Sequence, residues 1–174
     1  MIKFAFGCSH TAGVGVELHE AFPNLLNATN YGVEGISANF LARHLIEKVQ
    51  EQKPDVIYIL WPDWSRFEYI DNDGNTQQSL PTDTNRIHFM ETATDDWLKS
   101  NFKKVVDSVH TYCVDNKITL IDATLYDLIP FINHADKWPV SKLGHHYSEI
   151  WHQWVADIFN NALQNNTRFP LNNE

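Results

Sequence analysis

Val56-Ile57-Tyr58-Ile59-Leu60-Trp61, preceded by Pro54, is the stretch that decides the fold. Six apolar residues in succession, with no polar alternation, suit a strand buried on both faces. Such a strand lies in the middle of a parallel sheet with helices above and below it. Towards the N-terminus, Ser37 to Gln52 places Phe40, Leu41, His44, Leu45 and Val49 at spacings of three and four, which predicts a helix with Ser37 as its N-cap. Ile2 to Phe6, closed by Gly7, predicts a first strand, and Asn24 to Asn30 a second. Towards the C-terminus, Thr94 to Asn116 predicts a helix capped by Thr94, with Leu98, Phe102, Val105, Val106, Val109 and Cys113 inward. Ile118 to Ile121 predicts a strand that runs into Asp122. Ser148 to Leu163 predicts the last helix, with Ile150, Trp151, Trp154, Val155, Ile158 and Phe159 on its apolar face. Strands alternating with amphipathic helices make this an α/β chain, a three-layer α/β/α sandwich around a mostly parallel sheet. Residues 1–164 are expected to form one domain. An insertion at about 62–93 carries the turn signal Asp71-Asn72-Asp73-Gly74-Asn75 and reads as a hairpin or a lid; 165–174 is a polar tail.

The chain has 174 residues, 43% hydrophobic and 20% charged. At that length a fold buries about 70% of the surface its unfolded chain exposes, enough for a core without staples. Thirteen Lys and Arg against 22 Asp and Glu leave a net charge of −9, which opposes a broad polyanion-binding surface. Nucleic acid and anionic membrane are therefore not expected partners. No apolar run approaches the roughly 18 residues that span a bilayer. Cys8 and Cys113 are too few for a disulfide framework or a cysteine-rich zinc site. Met1 to Phe6 is too short for a signal peptide, so a reducing cytoplasm is the expected location, with release by lysis as the alternative.

In a parallel sheet the chemistry lies at the carboxyl ends of the strands. Here that means residues 7–10, 30–35, 61–66 and 122 onward. The first offers Gly7-Cys8-Ser9-His10-Thr11. Ser9 reads either as the cap of the next helix or as a nucleophile whose attack creates an oxyanion. Cys8 is expected to point away from Ser9 and to be buried and inert. His146 precedes the last helix, where the helix N-terminus favours the neutral, proton-accepting ring. His145 reads as a loop residue and His152 as a helix-surface residue. Positions 145, 146 and 152 lack the i, i+4 spacing of a helix-borne zinc pair, so no metal and no cofactor is expected. A metal enzyme using His145, His146 and an Asp is the third-ranked alternative.

Taken in order, four stretches resemble the SGNH hydrolases, the GDSL family of esterases and lipases. Phe6 to Gly13 resembles the first block, with Cys8 where Asp is usual and Ser9 at the nucleophile. Asn30 to Ser37 resembles the second, with Gly35 at an oxyanion donor. Pro54 to Trp61 resembles the strand leading into the third. His146 to Ala156 resembles the last, with His146 at the base. The compact form with Trp61 and Arg66 is similar to small SGNH-like proteins of marine phages. The resemblance implies a flavodoxin-like sheet and a serine ester hydrolase acting on small acyl esters, acetyl for choice, of a small molecule or a carbohydrate. In it Ser9 and His146 are catalytic, the backbone N–H groups of Ser9 and Gly35 hold the oxyanion, and Trp61, Asp63, Arg66 and His145 contact substrate. Two departures stand against it. Leu143 occupies the position of the Asp that orients the histidine. No Asn follows the third strand, and the carboxylate of Asp63 cannot donate to an oxyanion. A backbone carbonyl, Asp122 or Asp136 is a candidate to orient His146; Arg66, Trp61 or Trp64 is a candidate donor. Arg66 reads equally as a surface partner of Glu68 or Asp63, and Trp61 as a core residue. The departures motivate the alternative function, a glycan-binding or virion-associated module on the same fold.

Overall fold

The computed structural model of the chain describes residues 1–70, 73–79, 94–128 and 146–167. It begins with β1 (Lys3–Gly7), α1 (Ser9–Ala12), a 3-10 turn at Leu18–Glu20, α2 (Phe22–Leu25), β2 (Thr29–Gly32), α3 (Ala38–Glu51) and β3 (Val56–Trp61). It continues with β4 (Phe67–Ile70), β5 (Thr76–Ser79), α4 (Asp95–Asp115), β6 (Thr119–Thr124), α5 (Leu125–Leu128) and α6 (Glu149–Asn165). β2, β1, β3 and β6 lie side by side in that order, all parallel. β3 is buried along its whole length, as a strand paired on both edges and covered on both faces must be.

The period of two in each strand assigns the two faces. Phe4, Phe6, Ile57, Ile59 and Trp61 pack with Leu41, Leu45 and Val49 of α3 and Val106, Val109 and Cys113 of α4. Ala5, Val56, Tyr58, Leu60 and Ile121 pack with Phe22 and Leu26, and with Trp151, Val155 and Phe159 of α6. The helices begin as the sequence indicates: Ser37 Oγ accepts from the Phe40 N–H at 3.2 Å, and Thr94 Oγ1 from the Trp97 N–H at 3.2 Å.

Three expectations need correction. The predicted strand at Asn24–Asn30 is largely helix and turn: Pro23 starts α2, Asn27 turns the chain with a φ of 53°, and the strand begins at Thr29. Ile150 is 50% exposed, so the buried face of α6 is rotated from the expected one. It includes His152, which is wholly buried rather than on the surface. His152 Nδ1 accepts a hydrogen bond from the Phe22 N–H at 3.3 Å, so the ring ties α6 to the start of α2.

Residues 67–79 contain the antiparallel pair β4–β5, in the register Phe67 with Ser79. This hairpin sits on the N-terminal end of α3. Gln78 Oε1 accepts from the Ser37 N–H at 2.8 Å, and Arg43 binds both oxygens of Glu68 at 2.7 and 2.6 Å. Residues 80–93 of the insertion and the end of the polar tail lie outside the described residues.

Two glycines let α1 press onto the strand ends. A Cβ on Gly7 would stand 2.0 Å from Thr11 Oγ1, and one on Gly32 would stand 2.3 Å from the backbone nitrogen of Ala12. The second contact is with backbone and cannot be relieved by a rotamer change. Gly32→Ala is expected to lower stability by about 1–3 kcal/mol, the usual cost of overpacking. Urea unfolding of the variant beside the parent measures this, and an unchanged midpoint would contradict the close approach.

Candidate active site

The strand order places a topological switch point between β1 and β3, since the chain winds one way from β1 to β2 and the other way towards β6. A pocket of about 100 Å³ opens there. Three strand ends line it: Cys8 and His10 after β1, Trp61 to Trp64 and Arg66 after β3, and Thr124 to Tyr126 after β6.

Ser9 is the first residue of α1, and the N-cap position belongs to Cys8, whose side chain makes no cap bond. Ser9 is therefore not the cap. It is 9% exposed, and its Oγ makes no hydrogen bond among the described residues. Cys8 is buried, as expected, yet it also lines the pocket. Ser9 and His146 are not among the described residues that line this pocket.

His146 is brought to this end of the sheet by rings. The His10 ring, one residue beyond Ser9, lies 5.5 Å from that of His146 at 61°. It stacks on Tyr147 at 4.7 Å, and Tyr147 stacks on Trp151 at 4.6 Å. The first turn of the chain and the approach to α6 are thus packed against each other. Sequence reasoning passed over His10. Its signal was its position beside Ser9 at a strand end.

The other expected site residues divide. Trp61 is 2% exposed in the core, and it also lines the pocket. Asp63 closes the turn after β3. Its Oδ1 accepts from the Ser65 N–H at 2.8 Å and from the Ser65 hydroxyl. Arg66 lines the pocket and pairs with neither Glu68, which holds Arg43, nor Asp63. Gly35 sits in the loop after β2 with a φ of 72°, next to the Ser37–Gln78 contact. His145, Leu143 and Asp136 lie outside the described residues.

Asp122 is committed elsewhere and does not orient His146. Its Oδ2 accepts from Trp61 Nε1 at 2.8 Å and meets His110 Nε2 at 2.8 Å. The reason is the period of two: Ile121 and Ala123 face α6, so Asp122 faces α4. The buried thiol of Cys113 is pushed up to about 12 by burial and by the charge of Asp122, which leaves it unreactive. His110 was also missed. It shares the inward face of α4 with Val106, Val109 and Cys113, where a polar residue invites a search for a buried partner.

A second groove, of about 350 Å³, adjoins the first and shares Trp64, Arg66 and Phe102 with it. Trp97, Asn39 and Asn101 line its far side.

No family model and no curated protein matches the sequence. Solved structures do. TesA superposes with a TM-score of 0.64 at 11% identity, covering 95% of this chain and 99% of its own. A G-D-S-L family protein from Desulfitobacterium hafniense DCB-2 superposes with a TM-score of 0.57 at 15% identity, covering 90% and 98%. The acetyl xylan esterase AlAXEase does so with a TM-score of 0.58 at 16% identity, covering 93% and 100%. The chain has the SGNH hydrolase fold, as the four sequence blocks implied.

Two site-proximal histidines resist protonation. His10 is lowered to about 4 by burial first, then by His146, His152 and Arg66. His152 is lowered to about 4 by burial, partly opposed by Glu20. In the unfolded chain both titrate near 6.5. Between about pH 6.5 and 4 the unfolded state therefore binds protons that the folded state refuses, so stability falls as pH falls. For His152 alone the loss at the acid end is on the order of 3 kcal/mol. Urea unfolding between pH 7.5 and 4.5 is expected to show this decline, with a shallower slope in His152→Leu. Equal slopes would contradict it.

Proposed function

We propose that the chain is a serine ester hydrolase of the SGNH type. One observation carries the reading: the segment holding Ser9 and the segment holding His146 are joined by ring contacts at the switch-point end of the sheet, beside a pocket. In this reading Ser9 Oγ attacks the ester carbonyl carbon as His146 takes the hydroxyl proton. The oxyanion is held by the backbone N–H groups of Ser9 and Gly35. The tetrahedral adduct collapses, the C–O bond to the alcohol breaks, and His146 returns the proton to the leaving oxygen. Water then attacks the acyl-enzyme with His146 again as base, releasing the acid and restoring Ser9. No cofactor is required.

The pocket of about 100 Å³ suits a small acyl group such as acetyl. Trp61, Asp63 and Arg66 contact the substrate there, and His145 is the remaining candidate contact. The adjoining groove, which Trp64 and Trp97 help to line, suits a carbohydrate alcohol. AlAXEase, similar in fold, is an acetyl xylan esterase.

A binding module on the same fold is favoured by one observation, the commitment of Asp122 to Trp61 and His110 instead of to His146. Kinetics separate the two. Hydrolysis of p-nitrophenyl acetate by the parent is expected to exceed that by Ser9→Ala about a thousandfold or more in kcat, and His146→Ala is expected to fall by a similar factor. Equal rates for parent and Ser9→Ala would leave the binding module as the better reading.

A further inference from the structure

Arg66 is the group in the pocket that folding does not explain. Its Nε and Nη1 are buried and have no hydrogen-bond partner among the described residues. A buried guanidinium ordinarily meets a carboxylate, because its charge is costly to hold away from water. The acids beside it in sequence are occupied: Asp63 by Ser65, and Glu68 by Arg43 and Gln78. His10, which lines the same pocket, also has a buried polar atom with no partner among the described residues, Nδ1. Burial keeps that ring neutral, so it is available as an N–H donor without adding a second full charge. Two residues that line one small pocket and carry polar atoms without partners among the described residues point to a site for a ligand.

We infer that the Arg66 side of this pocket, where it opens into the adjoining groove, binds a carboxylate carried by the substrate, held by the Arg66 guanidinium with the His10 ring nearby, next to the ester that Ser9 attacks. The substrate class is then an ester of a carboxylate-bearing alcohol, such as an acylated uronic-acid sugar. This deepens the ester-hydrolase reading and rests on it for the reaction, but the anion site itself stands apart from turnover. The planar guanidinium of Arg66 carries parallel N–H pairs that match the two oxygens of a carboxylate, which a lysine would not. A net charge of −9 disfavours anions over the surface at large, so selection for the carboxylate is local to Arg66. Arg66 also lines the adjoining groove, which puts the acidic group between the ester and the rest of a sugar chain.

The test compares 4-acetoxybenzoate with phenyl acetate, which share the acetyl group and differ by a carboxylate. The ratio of their kcat/KM values, anionic over neutral, is expected to fall about tenfold or more in Arg66→Gln and to recover in part in Arg66→Lys. An unchanged ratio overturns the inference. Calorimetric titration of the parent with benzoate, which is not an ester, is expected to show binding that weakens about tenfold or more in Arg66→Gln. No binding to the parent overturns it as well. If the parent hydrolyses neither ester yet binds benzoate through Arg66, the hydrolase reading fails and the carboxylate site remains. Thermal unfolding of Arg66→Gln is expected at or above the parent's Tm, since a half-buried cation without a carboxylate partner among the described residues is removed. A large fall in Tm would make Arg66 a structural residue and overturn the inference.

Discussion

The arrangement of this molecule depends on one packing constraint, the stack of His10 on Tyr147 and of Tyr147 on Trp151. His10 belongs to the first turn after β1, and Trp151 to the first turn of α6. More than a hundred residues separate them, so loop closure opposes their meeting and side-chain contact must offset it. Aromatic stacking and the burial of Trp151 supply that contact. Gly7 and Gly32 make it possible, because only their missing Cβ atoms let α1 lie flat on the strand ends. The His152–Phe22 bond adds a second tie between the same ends of the chain. Everything at the switch point inherits its geometry from these contacts.

The polar groups near the pocket follow from the same frame. Alternation along β6 sends Asp122 towards α4, where Trp61 and His110 satisfy it. That pairing fixes the indole of Trp61, which forms part of the pocket wall. Asp63 is used to close a turn, and Glu68 to anchor the hairpin through Arg43. The two acids beside Arg66 in sequence are thus drawn off by structural tasks. The remaining guanidinium faces a small desolvated space, which is how a fold holds a charge ready for a ligand.

The layers of the fold were legible because β3 is uniformly apolar and the helices are strongly periodic. Both signals arise from burial, which acts on every residue of an element. The caps Ser37 and Thr94 were legible for a local reason, the orphan N–H groups of a helix start. The stretch 24–30 was misread because its apolar residues are too few to show a period, and Pro23 and Asn27 decide its path. At the site, Ser9, His146, Trp61 and Arg66 were visible as residue types at strand and helix ends. His10 and His110 were not, since their roles come from partners distant in sequence. The fate of Asp122 turned on which side of a strand it occupies. The period of two answers that once Ile121 and Ala123 are known to face α6. The burial of His152 turned on the rotation of α6, which the aromatic residues of that helix left ambiguous.

The central claim is that the two ends of the chain meet as a nucleophile and its base. Reaction with a fluorophosphonate, followed by mass-spectrometric mapping of the modified peptide, tests it most directly. The account predicts a single adduct on Ser9 that does not form in His146→Ala. No adduct, or an adduct on another residue such as Cys8, would contradict it.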